Sequence, residues 1–402
     1  MKNTFKFTTH PGNIEKEVQR KAKIVTNIIA QELQPLSILM FGSFGKGEGT
    51  ILNKKELFND FDMYIITEEK VPDAELDRVA KKASAAIGMG GGEFIESDGG
   101  KNYNRKQYFH VDLRALQHKE LPRLKKTTRT YEIKYATQLL YGKDYRHLIT
   151  IKAEELPLSE GWRHFINKSC LLLLAMDNQR RKGKFHNDEK LIANYYSIKT
   201  YLGCAEALLL LKKHFSGYYQ GRNKLFQKIY GKELPALAEK VNWATNMKCD
   251  FQPRKIKNTV KLWKEARDTL YFTITYLAEH ALGITAKNKK ELMRKIYKKL
   301  AYTYHGPYIP LIKHAGFPLQ YGLNLLYAQR TKYYPTLLNW RDPGFRIWMP
   351  AFLLLYAHEE PELLEEAKKY LQQLAPITTN DFEGLRTATL YCYGKYYTQR
   401  LL

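Results

Sequence analysis

Apolar residues recur at the spacing of one helical face over residues 14–33 (Ile14, Val18, Ala22, Val25, Ile29, Leu33), and Pro35 stops the run. Residues 37–41 are a short apolar stretch closed by glycine, which predicts a buried strand. Residues 60–67, rich in aromatic and β-branched side chains, predict a second strand, and 73–87 a helix broken by the glycines at 88–92. Two further strands are expected at 93–97 and 107–113, around a polar loop holding Asp98, Gly99 and Gly100. A helix over 131–140, ending near Gly142, completes this part.

From about residue 157 the pattern turns helical almost throughout. Helices are expected at 161–182, 189–215, 221–229, 253–282, 289–303, 317–338, 345–358 and 360–374, with a last one after Asp381. Pro307, Pro310 and Pro318 interrupt the series, and no internal repeat or low-complexity tract is present. At 402 residues the chain is too long for one core. The expected class is α+β: a small mixed β-sheet with flanking helices over 1–150, followed by an all-helical region in two parts, 151–285 and 286–402.

Within the first part, the strand at 37–41 runs into Gly42-Ser43-Phe44-Gly45-Lys46-Gly47-Glu48-Gly49. Glycines let a backbone turn tightly and approach a ligand closely, although a glycine-rich loop alone is most often a plain turn. The next strand changes its weight. Asp60 and Asp62 are two apart, so strand alternation puts both carboxylates on one face. Paired carboxylates repel unless a cation sits between them, and hard divalent ions favour such oxygens. Asp112, flanked by Val111 and Leu113, supplies a third carboxylate if its strand lies beside the first. Three carboxylates can hold two metal ions, one acting on an attacking hydroxyl and one on a triphosphate.

A Gly-Ser turn after a strand, an Asp-x-Asp strand and a third Asp on a later strand resemble the DNA polymerase beta-like nucleotidyltransferase superfamily. The resemblance spans residues 35–150 and includes Tyr141-Gly142-Lys143-Asp144 after a helix. It implies transfer of a nucleoside monophosphate from a nucleoside triphosphate (ATP is the expected donor), with pyrophosphate released. It also implies Mg²⁺, with Mn²⁺ as a substitute, on Asp60, Asp62 and Asp112, and a triphosphate held by Gly42 and Ser43. Asp112 would help deprotonate the acceptor, and Lys46 is a candidate further phosphate contact. The gap from Ser43 to Asp60, residues 44–59, is longer than the family's usual one; the excess over 51–58 is expected to be a loop.

Residues 195–226 are loosely similar to the helical domain that follows such catalytic units in aminoglycoside nucleotidyltransferases. Lys199, Tyr218 and Arg222 are candidates there for nucleotide or acceptor contact, against the ordinary reading of solvated or packing residues. Arg181 and His186 match the spacing of ribonucleolytic helical partners, a permissive pattern interrupted by Gly183.

Charge adds a partner class without naming it. Lys and Arg number 65 against 41 Asp and Glu, a net +24, of which +6 falls in residues 1–150 and +18 beyond. Such a field attracts polyanions, RNA among them, and equally describes a Lys-rich solvated surface. Seven basic residues between 287 and 299, with Tyr297, Tyr302 and Tyr304 near, suit either phosphate contact or the outer face of a helix whose buried stripe is Leu292, Ile296 and Leu300. The leading alternatives are therefore a terminal nucleotidyltransferase acting on RNA and a non-catalytic, antitoxin-like binding protein of the same fold. Cys170, Cys204, Cys249 and Cys392 have no metal-like spacing, the longest wholly apolar run is 170–176, and residues 1–17 are polar. A soluble cytoplasmic protein without a membrane partner is expected.

Overall fold

A computed structural model describes residues 5–58, 60–90, 110–303, 343–372, 374 and 377–396. The strand expected at 93–97, the loop with Asp98, residues 107–109, Tyr304, the three prolines at 307–318 and the helix expected at 317–338 lie outside them. The fold is α+β, and the chain forms two compact units. One takes the described residues of Met1–Phe94, Tyr103–Glu160 and Leu208–Asn258; the other takes those of Gly161–Ala207 and Thr259–Leu402. The sheet unit thus recruits a stretch, Leu208–Asn258, that reads in sequence as part of the helical region.

In the sheet unit, helix α1 (Asn13–Leu33) precedes strand β1 (Ser37–Met40), the single-turn helix α2 (Gly42–Gly45), the two-residue strands β2 (Ile51–Leu52) and β3 (Glu56–Leu57), strand β4 (Phe61–Thr67) and helix α3 (Asp73–Ala86). Strands β5 (Val111–Gln117) and β6 (Gln138–Gly142) follow, and β7 (Asp250–Phe251) comes last. The main sheet has the order β5-β4-β1-β6. β1 is antiparallel to both β4 and β6, while β4 and β5 run parallel, with Phe61 opposite Val111 and Asp62 opposite Asp112.

Strand alternation sorts the sheet's two faces. Ile38, Met40, Phe61, Met63, Ile65, Val111 and Leu113 pack with Val18, Val25 and Ile29 of α1 and Val79 of α3 in one buried cluster. Leu39, Tyr64 and Ile66 face the other way, against Leu121, Ile133, Ile149, Ile151, Leu156, Leu210 and Phe215. Both faces are therefore covered, and a charged side chain on either needs a reason to be there.

Three expectations are corrected. The helix expected at 131–140 is a shorter helix, Thr128–Tyr135, followed by β6. Leu139 and Leu140 continue the helical spacing, but backbone pairing with β1 pulls them into the sheet. Residues 51–58 are a hairpin, not a loop: Asn53 and Lys54 take left-handed backbone angles (φ 50° and 59°) between β2 and β3, and β7 pairs in parallel with β2. The strand expected at 107–113 runs from Val111 to Gln117. Helix Pro235–Cys249 has no counterpart among the expected elements.

The second unit is helical in its described parts. Its helices include Thr259–Leu282, Lys289–Thr303, Pro343–Tyr356, Glu362–Leu371 and Phe382–Tyr396. Trp162, Phe165 and Trp348 stack in its core, and the indoles of Trp263 and Trp348 donate to Leu172 O (2.9 Å) and Ser169 Oγ (3.1 Å). The four cysteines are buried, and none of them forms a disulfide. Among the described residues no helix is long and apolar enough to cross a membrane.

Candidate active site

β1 delivers the glycine-serine turn directly onto the carboxylate strand. The Phe41 N–H donates to Asp62 O (2.8 Å), and Gly42 follows with φ +65°, a conformation that favours glycine. A Cβ on Gly42 would lie 1.8 Å from Asp62 Oδ2, so no side chain fits between the turn and that carboxylate. Ser43 is 1% exposed, and its Oγ has no hydrogen-bond partner. A buried hydroxyl without a partner is costly unless a ligand or water completes it.

The three aspartates share one end of the sheet. Asp62 and Asp112 are opposite one another in the parallel pair, so both project from the face that carries Tyr64. Asp62 is the most perturbed: burial, then Asp112, then Asp60 push its carboxyl up to about 7, against the opposing pull of Arg114 and Arg129. Asp60 Oδ1 lies 3.6 Å from His110 Nδ1, a buried nitrogen with no hydrogen-bond partner. Asp112 is engaged by Arg114, whose Nη2 is 2.8 Å from Oδ2 and whose Nε is 3.1 and 3.3 Å from the two carboxylate oxygens. Among the described residues no three His, Cys, Asp or Glu side chains are gathered as a ready-made metal cage.

Lys46 sits deep beside the turn, its amino group donating to Glu132 Oε1 (2.6 Å) with the side chain 3% exposed. Arg222 Nη1 shares the same carboxylate oxygen at 3.1 Å. Lys46, Arg222 and Lys248 surround the Tyr219 ring at 4.5, 4.6 and 5.1 Å from its centroid. Glu48, from the same glycine-rich stretch, accepts the backbone N–H groups of Tyr219 (2.6 Å) and Gln220 (2.9 Å), tying that stretch to the first turn of helix Tyr219–Tyr230. Lys248 is 1% exposed, bonds Thr50 Oγ1, and has its amine pushed down to about 8 by burial, with Cys249, Asp62, Glu48 and Asp60 opposing that shift.

Of the residues singled out in sequence, the structure brings Gly42 and Ser43 onto Asp62, and Asp62 beside Asp112. Arg222 belongs to this buried charge cluster. Tyr218 is exposed and donates to Tyr135 O (3.1 Å), while Lys199 lies over the Tyr195 ring. Arg181 packs over Trp263 and Phe382 at 4.8 and 5.0 Å. Arg114, Arg129, Glu132, Tyr219 and Lys248 were missed. Only Arg114 had a sequence signal, since it lies two residues after Asp112 and alternation places it on the same face.

No family model matches the chain, and no curated protein does. Among solved structures, the crystal structure of spectinomycin adenyltransferase AAD(9) from Enterococcus faecialis with ATP and spectinomycin is similar over 63% of this chain and 99% of that one, at 12% identity and a TM-score of 0.37. At that distance the chemistry has to be argued from the residues themselves.

Proposed function

We propose that the chain is a metal-dependent nucleotidyltransferase that moves a nucleoside monophosphate from a nucleoside triphosphate, ATP as the donor, to an acceptor and releases pyrophosphate. One observation carries the reading: two carboxylates in register on parallel strands, with a side-chain-free turn pressed against one of them and an unpartnered serine hydroxyl next in sequence.

The donor set fits a divalent cation. Asp60, Asp62 and Asp112 offer hard oxygens, and Asp62 resists ionisation because it is buried and because Asp112 and Asp60 beside it are also negative, a repulsion that a cation would reverse. These three residues would hold Mg²⁺, or Mn²⁺ in its place. When bound, the ion supplies charge neutralisation for the triphosphate and acidifies an acceptor hydroxyl. The chain's own groups do the rest. Gly42 leaves room for phosphate oxygens at the turn, and the Ser43 hydroxyl donates to one of them. Arg129 adds positive charge near Asp62. Asp112, once clear of Arg114, accepts the proton of the attacking hydroxyl. Lys46 acts from behind the turn: with its amino group on Glu132, it fixes the backbone of Gly45 to Gly47.

Incubation with α-³²P-labelled ATP, Mg²⁺ and a panel of RNA, protein and sugar acceptors tests this reading. Label transfer or pyrophosphate release is expected from the wild type and not from an Asp60→Ala, Asp62→Ala double variant. Equal transfer by the double variant contradicts the assignment.

A further inference from the structure

The third carboxylate already has a cation. Arg114 engages both oxygens of Asp112 through two of its nitrogens, a fork geometry that sets a fixed positive charge against the carboxylate a metal ion would use. Both residues stand on β5, two apart, so the pair is set by strand alternation and needs no other element to form. Both are also half-buried, at 22% and 29% side-chain exposure, so water screens the pair less than it would a surface ion pair.

Resting on the nucleotidyltransferase reading, we infer that Arg114 is a built-in counter-ion that competes with the divalent cation for Asp112 and gives it up when a nucleoside triphosphate arrives. The physical reason is charge bookkeeping. With Arg114 in place, an incoming divalent ion meets a fixed positive charge at one of its three ligands and must break a charge-assisted ion pair. A guanidinium leaving Asp112 needs another anion, and a triphosphate brought with the metal provides one. Metal and triphosphate then bind cooperatively, each paying part of the cost of moving Arg114. Arg114 is thus a positioning residue for Asp112.

The test is Mn²⁺ binding to the full chain, read from the electron paramagnetic resonance signal of free aquo-Mn²⁺, at pH 7.5 without nucleotide. Arg114→Gln should bind Mn²⁺ about tenfold more tightly than wild type, within the usual span of coupling between competing ligands. In an Asp112→Asn background the same substitution should change Mn²⁺ affinity by less than about twofold, since the ligand it releases is gone. Arg114→Lys, which keeps the charge but not the fork, should fall between, and it carries the test if the glutamine variant does not fold. With a non-hydrolysable ATP analogue, wild-type affinity should rise toward that of Arg114→Gln. Unchanged or weaker Mn²⁺ binding in both Arg114 variants, or an equal gain in the Asp112→Asn background, overturns the inference while the parent reading stands. Absence of Mn²⁺ binding to wild type and Arg114→Gln, with the analogue present, overturns the parent reading instead.

Discussion

In the sheet unit, Asp62 and Asp112 face each other across two parallel strands with Asp60 close by, and burial leaves Asp62 reluctant to ionise. In the helical unit three of the buried charges, Arg180, Arg267 and Arg386, donate to backbone carbonyls. Arg386 donates to Leu173 O (3.0 Å) and Leu174 O (2.8 Å), Arg180 to Leu174 O (3.1 Å), and Arg267 to Leu355 O (3.3 Å) and Glu359 (2.9 Å). Those carbonyls belong to the last turns of helices Ser159–Ala175 and Pro343–Tyr356, where helix ends carry unsatisfied C=O groups and negative partial charge. Even the basic helix Lys289–Thr303 is partly neutralised: Arg294 and Lys290 meet Glu366, and Lys289 meets Glu360. One region gathers carboxylates that a cation can neutralise; in the other, these arginines are taken up by helix ends and carboxylates, with Arg181, pushed down to about 10 by burial and by Arg267 and Arg386, the exception. Three of the basic residues behind the +18 beyond residue 150 therefore have a packing role, and the excess by itself does not single out RNA as the acceptor.

If this contrast holds, substitutions in the two regions should separate activity from stability. The largest effect is expected at Asp62. Asp62→Asn should lower nucleotidyl transfer by about a thousandfold or more, in the range lost when a group that organises transition-state charge is removed. The same variant should be more stable than wild type when metal is chelated. The folded carboxyl keeps its proton up to about pH 7, whereas an unfolded aspartate releases it near pH ~3.9, so the folding penalty grows as pH rises through that interval and is complete above it. At pH 8 in EDTA a gain on the order of 2 kcal/mol, or about 5 °C in melting temperature, is expected, fading toward pH 4. A loss of stability at pH 8 would break the comparison.

Arg386→Leu should do the reverse. It removes one of the two donors of each carbonyl, leaving Leu173 O to the Met176 N–H (3.3 Å) and Leu174 O to Arg180 (3.1 Å), and should cost about 1.5–3 kcal/mol of stability, seen as a lower denaturant midpoint, while kcat per folded molecule is unchanged. Ser43→Ala removes a hydroxyl that makes no protein hydrogen bond, so the melting temperature should hold while KM for the triphosphate rises about tenfold. A melting temperature that drops with unchanged KM would show that Ser43 serves the fold. The smallest effect belongs to Lys295→Ala, which breaks an exposed pair with Glu291 (2.7 Å) and should leave the denaturant midpoint essentially unchanged.

How much of this could be read from the chain varied with how local the information was. The alternation of Asp60, Phe61, Asp62 and Met63 told which side chains share a face, and the helices with a clean apolar stripe, such as Lys289–Thr303 with Leu292, Ile296 and Leu300 buried, appear where they were expected. What pairs with what was not local. Nothing in residues 138–142 says strand until β1 lies beside them. Helix Pro235–Cys249 hides because its buried positions include Ala238, Ala244, Thr245 and Lys248, which do not read as an apolar stripe. The charge cluster around Tyr219 joins segments some 170 residues apart, so its members look like ordinary surface charges in sequence. Arg114 alone could have been found by applying to it the same two-residue period that found Asp62.

The central claim is that the carboxylates and the glycine-serine turn form one metal- and triphosphate-binding site. Calorimetric titration of a non-hydrolysable ATP analogue into the wild type and Asp62→Asn, with Mg²⁺ and with EDTA, addresses it most directly. The account predicts binding to wild type that requires Mg²⁺ and is lost in Asp62→Asn. Binding that is the same with EDTA, or the same in the variant, would contradict it.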